Sequence, residues 1–161
     1  MLKRRILGIA GLLAVAGCGL PILPSATLPP DAVQGAGDPL RAAVSQSSYV
    51  FGNARLFGGR PEDVARAVAN QEFLAVAVQS DPRVSVYGAT VPVLLQDGRN
   101  EARGFSGIAP EAPAQLVIDS LYSFARALRA GDRVAAERAL VASAFPNPAT
   151  TMARLNQAPA L

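Results

Sequence analysis

Between two breaks, Arg60-Pro61 and Ser80-Asp81-Pro82, lies the clearest periodic stretch of the chain. Val64, Ala67, Val68, Gln71, Leu74, Ala75 and Val78 fall at the i, i+3, i+4, i+7 spacing of one helix face. Phe73, Val76 and Ala77 fall on the other faces, so the second half is apolar nearly all round. A helix of that kind is stable only when other elements surround it. The spacing therefore predicts a central helix over residues 61–79, with a buried strand over 73–78 as the competing reading. Pro61 suits a first turn, and Glu62 and Asp63 complement the positive end of the helix.

The segments on either side read as its packing partners. Asp38-Pro39 pairs an N-cap with a proline at the first helical position and predicts a helix over 39–54, with Leu40, Val44, Ser47 and Phe51 on its inner face. Residues 83–105 admit two readings. As strands, Val84/Val86 and Val91/Val93/Leu95 alternate, and Asp97-Gly98 is a hairpin signal. As a helix from Thr90, Val91, Leu94, Leu95, Gly98, Ala102 and Phe105 share a face, with Arg99, Glu101 and Arg103 pointing away. The helical match is longer, although Gly98 costs about 1 kcal/mol within it. Pro113 opens a helix to residue 130, striped by Val117, Leu121, Phe124 and Leu128, with Ile118 and Ala125 beside them. Gly131 stops it and Asp132 caps the next helix, which carries Val134, Leu140 and Val141; so short a connection pairs the two antiparallel. Pro146-Asn147-Pro148 precedes a last short helix over 149–156.

The fold class is thus all-α, a small irregular bundle of about five to six helices over residues 39–157, followed by a tail, 158–161. An α+β fold with a hairpin near 83–105 is the alternative. Gly131-Asp132, Ala136, Leu140 and Pro148 resemble one tetratricopeptide unit, but no second copy follows and a repeat array needs at least about three. A plain αα-hairpin is the simpler reading.

The N-terminus is a separate matter. Lys3, Arg4 and Arg5 precede an apolar run over 6–16, whose eleven residues rise about 16 Å as a helix against a hydrocarbon core of about 30 Å. A basic flank, a short apolar run and small residues at its end form a secretory signal. Its final residues, Val15, Ala16, Gly17 and Cys18, resemble the lipobox of bacterial lipoproteins. That resemblance implies that residues 1–17 are removed and that Cys18, the only cysteine, carries a covalent diacylglycerol. It implies a membrane partner through that lipid and a place in the cell envelope, facing the periplasm. Gly19, rather than Asp, after the cysteine favours the outer membrane. Five prolines fall between Gly19 and Pro39, namely Pro21, Pro24, Pro29, Pro30 and Pro39, and residues 18–38 read as a Pro-rich tether; packing of part of it along the body is the other possibility.

Removal of residues 1–17 also rewrites the charge. The whole chain is formally +3, but three of its fifteen basic residues are Lys3, Arg4 and Arg5, and the remaining twelve arginines balance twelve acidic residues. A neutral chain has no electrostatic footprint for nucleic acid. The absence of histidine removes imidazole bases and histidine metal ligands, and no lysine follows residue 17. With Cys18 acylated, no thiol nucleophile or disulfide remains. A carboxylate pair is the surviving catalytic possibility, with Asp119, Glu101 and Glu72 as candidates, each more simply a charged helix residue. Residues 96–100, Gln96-Asp97-Gly98-Arg99-Asn100, are too sparse for a calcium loop. No cofactor and no metal site is expected, and no enzymatic activity.

The body then reads as a non-enzymatic interaction or scaffolding module that contacts another envelope protein. A carrier for a lipid or other amphiphile is the alternative, with Phe51, Phe57, Phe73, Phe105 and Phe124 around a groove. A carboxylate hydrolase is the last choice. Tyr49, Tyr87 and Tyr122 are candidate contact residues, since tyrosine is enriched at interfaces.

Overall fold

The computed structural model describes residues 25–33, 35 and 37–159. The expected signal segment with Val15, Ala16 and Gly17, the expected lipidation residue Cys18 and the first part of the expected tether lie outside the described residues. Eight α-helices follow a 3-10 turn, Pro30–Ala32: α1 (Pro39–Gly52), α2 (Ala54–Phe57), α3 (Pro61–Ala77), α4 (Pro82–Ser85), α5 (Thr90–Ser106), α6 (Ala114–Arg129), α7 (Arg133–Ala139) and α8 (Pro148–Leu155). No strand occurs among the described residues, and none of their helices is long and apolar enough to cross a membrane.

Helix α3 is the axis of the bundle. It packs against α1, α2, α5, α6 and α8, as a helix apolar on most sides must. Ala65, Ala67, Ala69 and Ala75 are all fully buried on it, and their small side chains let neighbouring helices come close. The bulk of the core comes from elsewhere: Ile118, Leu121, Tyr122 and Phe124 of α6, Phe145 after α7 and Leu155 of α8. Phe51, Phe57, Phe73 and Phe124 are core residues, and Phe105 packs against them half-buried.

The ambiguous stretch is helical. Pro92 sits in the first turn of α5, where no N–H is needed, and Asp97-Gly98 lies in mid-helix instead of at a hairpin tip. Gly98 marks a close approach: a Cβ there would stand 2.6 Å from Gln71 Nε2 of α3. That amide donates to the Leu95 carbonyl at 3.3 Å.

Two helices are rotated by part of a turn from the face their apolar spacing suggests: Ser47 and Phe51 of α1 and Ala102 of α5 are buried as expected, and Leu40, Leu95 and Phe105 pack half-buried against the core. On α1 the buried residues are Ala43, Ser47, Val50 and Phe51, while Val44 is exposed. On α5 they are Ala102, Arg103 and Ser106, while Val93 and Leu94 face solvent. The physical reason on α5 is an ion pair, described below.

The α6–α7 connection follows its local signals. Gly131, at φ 76°, supplies the left-handed residue of a Schellman end, with Asp132 N–H on the Ala127 carbonyl and Gly131 N–H on that of Leu128, both at 2.9 Å. Asp132 then caps α7, its carboxylate accepting from Ala135 N–H at 2.8 Å. Asn147 caps α8 in the same way through Thr150 N–H at 3.0 Å. Asp132→Ala and Asn147→Ala are each expected to lower stability by about 1 kcal/mol in urea denaturation. No loss in either would mean that packing alone fixes α7 and α8.

Candidate functional site

Glu72 is the only charged residue between Arg66 and Asp81, and it lies on the all-round apolar half of α3. A buried carboxylate is costly unless paired and hydrogen-bonded, and α5 supplies the partners. Arg103 donates Nε–H to Glu72 Oε1 at 2.5 Å and Nη2–H to Oε2 at 2.9 Å, a bidentate pair. Arg99 adds a bond to Oε2 at 2.8 Å. The rest of the Arg103 guanidinium holds the loop between α5 and α6 through the carbonyls of Ala109, Pro110 and Ala112. All five of its N–H donors are therefore used.

This geometry decides the fate of the three candidate carboxylates. Glu72 is 1 % exposed and both its oxygens are taken by arginine. Glu101 faces solvent on α5, and Asp119, exposed on α6, accepts from Gln115 Nε2 at 2.9 Å. Glu72 is thus sealed from substrate while the other two stand in solvent, so no cleft unites them. Among the described residues no cluster of three or more His, Cys, Asp or Glu is placed to hold a metal ion.

A second buried network joins three helices. Tyr122 of α6 donates to Asn70 Oδ1 of α3 at 2.7 Å, and Asn70 Nδ2 donates to Gln46 Oε1 of α1 at 2.9 Å. Burial pushes the Tyr122 hydroxyl above its usual titration range. Tyr122 is accordingly a core residue and not the surface contact its type suggested, whereas Tyr49 and Tyr87 are exposed. Above this network runs the described part of the Pro-rich segment. Thr27 N–H donates to Gln115 Oε1 at 2.8 Å, Gln115 returns a bond to the Thr27 carbonyl at 3.2 Å, and Asp31 pairs with Arg126 at 3.2 Å. Ala26, Leu28 and Val33 pack against the core beneath. Residues 25–33 therefore lie along α6 rather than standing free of the body.

The two ends of the bundle differ. At one end, the start of α3, the end of α6, α7 and α8 enclose a groove of about 560 Å³, open to solvent. Phe124, Leu128 and Met152 form its floor, and Val134, Arg133, Glu137 and Asn156 its rim. Neither Arg133 nor Glu137 has an ion-pair partner among the described residues. An apolar floor with separated opposite charges on the rim suits an amphipathic helix or peptide. At the other end, α1 and α4 are clasped by Arg83, which pairs with Asp81 at 2.7 Å and with Asp38. Periodicity could not locate the groove, because its walls come from four elements far apart in the chain. Val15, Ala16, Gly17 and Cys18 lie outside the described residues. Compared with protein-family models, with curated proteins and with solved structures, the chain matches none.

Two outcomes follow from the charged groups. Glu72→Ala leaves Arg103 buried without its counter-ion and is expected to cost about 3–5 kcal/mol in denaturant unfolding, whereas replacing Glu72 and Arg103 together by Met should cost less. Equal losses would mean that the pair does not act as a unit. The Asp38 carboxyl is held below its ordinary value by the Arg41 N–H and then by Arg83, and that of Asp81 by the Arg83 side chain and then its N–H. Depressed carboxyl values mean the clasp is complete above the ordinary carboxylate range and is lost as pH falls through the lowered values. A carboxyl NMR titration should show both groups protonating at lower pH than an aspartate in an unfolded peptide, and Arg83→Ala should move both back up.

Proposed function

We propose that the protein is a lipid-anchored module of the bacterial envelope that presents a protein-binding groove to the periplasm. The observation that carries the interaction half is the groove between α6, α7 and α8, with its apolar floor and unpaired rim charges. Its position supports the reading, since it lies at the start of α3, while Ser25 sits against the end of α3. Seventeen residues of α3 separate the two ends by about 25 Å. A partner would thus meet the end of the body remote from the anchor. The anchor half rests on Val15-Ala16-Gly17-Cys18 after a short apolar run, and Gly19 favours the outer membrane over the inner.

A carrier of a lipid or other amphiphile is the second reading. It draws on the groove's volume, which falls within the roughly 300–1,000 Å³ of small-molecule pockets. The groove's openness and charged rim favour a polypeptide. No cofactor, metal or nucleic acid enters either reading.

Two experiments bear on the two halves. A Cys18→Ser variant is expected to lose fatty-acid labelling and to accumulate uncleaved; normal labelling and processing would remove the anchor. A photo-crosslinking residue placed at Val134 or Ala153 in intact cells should give one discrete protein adduct, and at Asn100 on α5 none. Absence of an adduct at both groove positions, with lipid bound to the purified body, would transfer the groove to the carrier reading.

A further inference from the structure

The place where the chain enters the body coincides with the place where the bundle exposes apolar side chains. Ser25 borders a shallow hollow with Ala77, Ser80 and Arg83 at the end of α3. A second hollow shares Ser80 with the first and reaches Val84, Gly88 and Pro92. A third shares Arg83 and Val84 and adds Val44 and Tyr87 of neighbouring elements. The surface is therefore continuous from the incoming chain across α4 to the start of α5.

That surface is unusually apolar. The thirteen residues 84–96 carry no charge. Within them Val86 is 78 % exposed, Tyr87 68 %, Val93 56 % and Leu94 63 %. The outward turn of Leu94 follows because α5 commits part of its inner face to Arg99 and Arg103, and Val93 lies on the side of the helix opposite Ala102. The face carries no cluster of free cations: Arg83 is paired with Asp38 and Asp81, Arg41 is the only further cation of the third hollow, and the exposed charge one turn along α5 from Val93 is the acidic Asp97.

We infer that this face, centred on Val86, Tyr87, Val93 and Leu94, docks on the bilayer surface. The inference rests on the lipid-anchor reading. Seven residues from Cys18 to Ser25 span at most about 25 Å, so an acylated Cys18 holds this end of the bundle near the membrane and leaves the groove outermost. Tyrosine suits the headgroup level, where its ring and hydroxyl meet different surroundings. With no basic cluster, the contact is one of apolar insertion rather than attraction to anionic lipid.

The chain has no tryptophan, so Tyr87→Trp and Val134→Trp each create a single fluorescent reporter, one on the proposed face and one at the groove. The full chain is isolated from membranes and reconstituted in phosphatidylcholine vesicles with plain or brominated acyl chains. The Tyr87→Trp protein is expected to emit further to the blue and to lose intensity several-fold on brominated lipid, with no change on raising the salt or adding phosphatidylglycerol. The Val134→Trp protein should respond to neither. Leu94→Trp repeats the measurement should Tyr87→Trp disturb the fold. Equal quenching of both reporters, or a Tyr87→Trp reporter as open to iodide as the Val134→Trp one, overturns the docking face. Shielding that appears only in native envelope preparations assigns the face to a protein partner and overturns it as well. The intact mass of the same sample separates the two readings: acylated protein with an unquenched reporter removes the docking face alone, and unacylated protein removes the anchor.

Discussion

A carboxylate and a guanidinium taken out of water together set the geometry of this bundle. Burying either Glu72 or Arg103 alone would be prohibitive, and even paired burial is favourable only when every remaining donor finds an acceptor. Arg103 meets that condition with its two bonds to Glu72 and three backbone carbonyls of the loop after α5. The pair thereby fixes the rotation of α5 about its own axis, the path of the following loop and the place where α6 starts. An apolar contact would have tolerated several rotations of α5; a saturated guanidinium tolerates one. Leu94, which the apolar stripe of α5 would have turned inward, is left on the surface as a result.

That exchange explains which parts of the structure could be read from the sequence. The central position of α3 was legible, because a helix apolar on most sides has few places to go. The boundaries of α1, α6, α7 and α8 were legible from Asp38-Pro39, Gly131-Asp132 and Asn147-Pro148, whose side chains cap the helices they precede. On α5 the inward stripe through Leu95, Gly98, Ala102 and Phe105 was legible, but the burial of Arg103 was not, because spacing rules count arginine as an outward residue. The signal was nonetheless present in Glu72, a lone charge in a segment that had to be buried and so required a cation opposite. On α1, Ser47 and Phe51 lie inside as their spacing implied and Leu40 is half-buried, while Ala43 and Val50 are buried and Val44 is turned out.

The molecule is polar in a sense that no single helix displays. Arg83 and the exposed run after α4 occupy one end, where the N-terminal chain arrives; the groove of α6, α7 and α8 occupies the other. Helix α3 connects them as a rigid rod, and the antiparallel α6 carries Gln115 near one end and Leu128 at the other. The groove, unlike the helices, had no signature in the sequence. Its walls are contributed by residues from Pro61 to Asn156, and only the tertiary path brings them together.

The seating of residues 25–33 along α6 has a mechanical consequence. A pull on the chain before Ser25 does not reach α1 directly. It is met first by the reciprocal Thr27–Gln115 bonds and the Asp31–Arg126 pair, which lie in series along the side of α6. Force along that direction loads them in shear, several at once, rather than opening them one after another. The helices behind are loaded only after these contacts give way, so the segment works as a strain relief for the body.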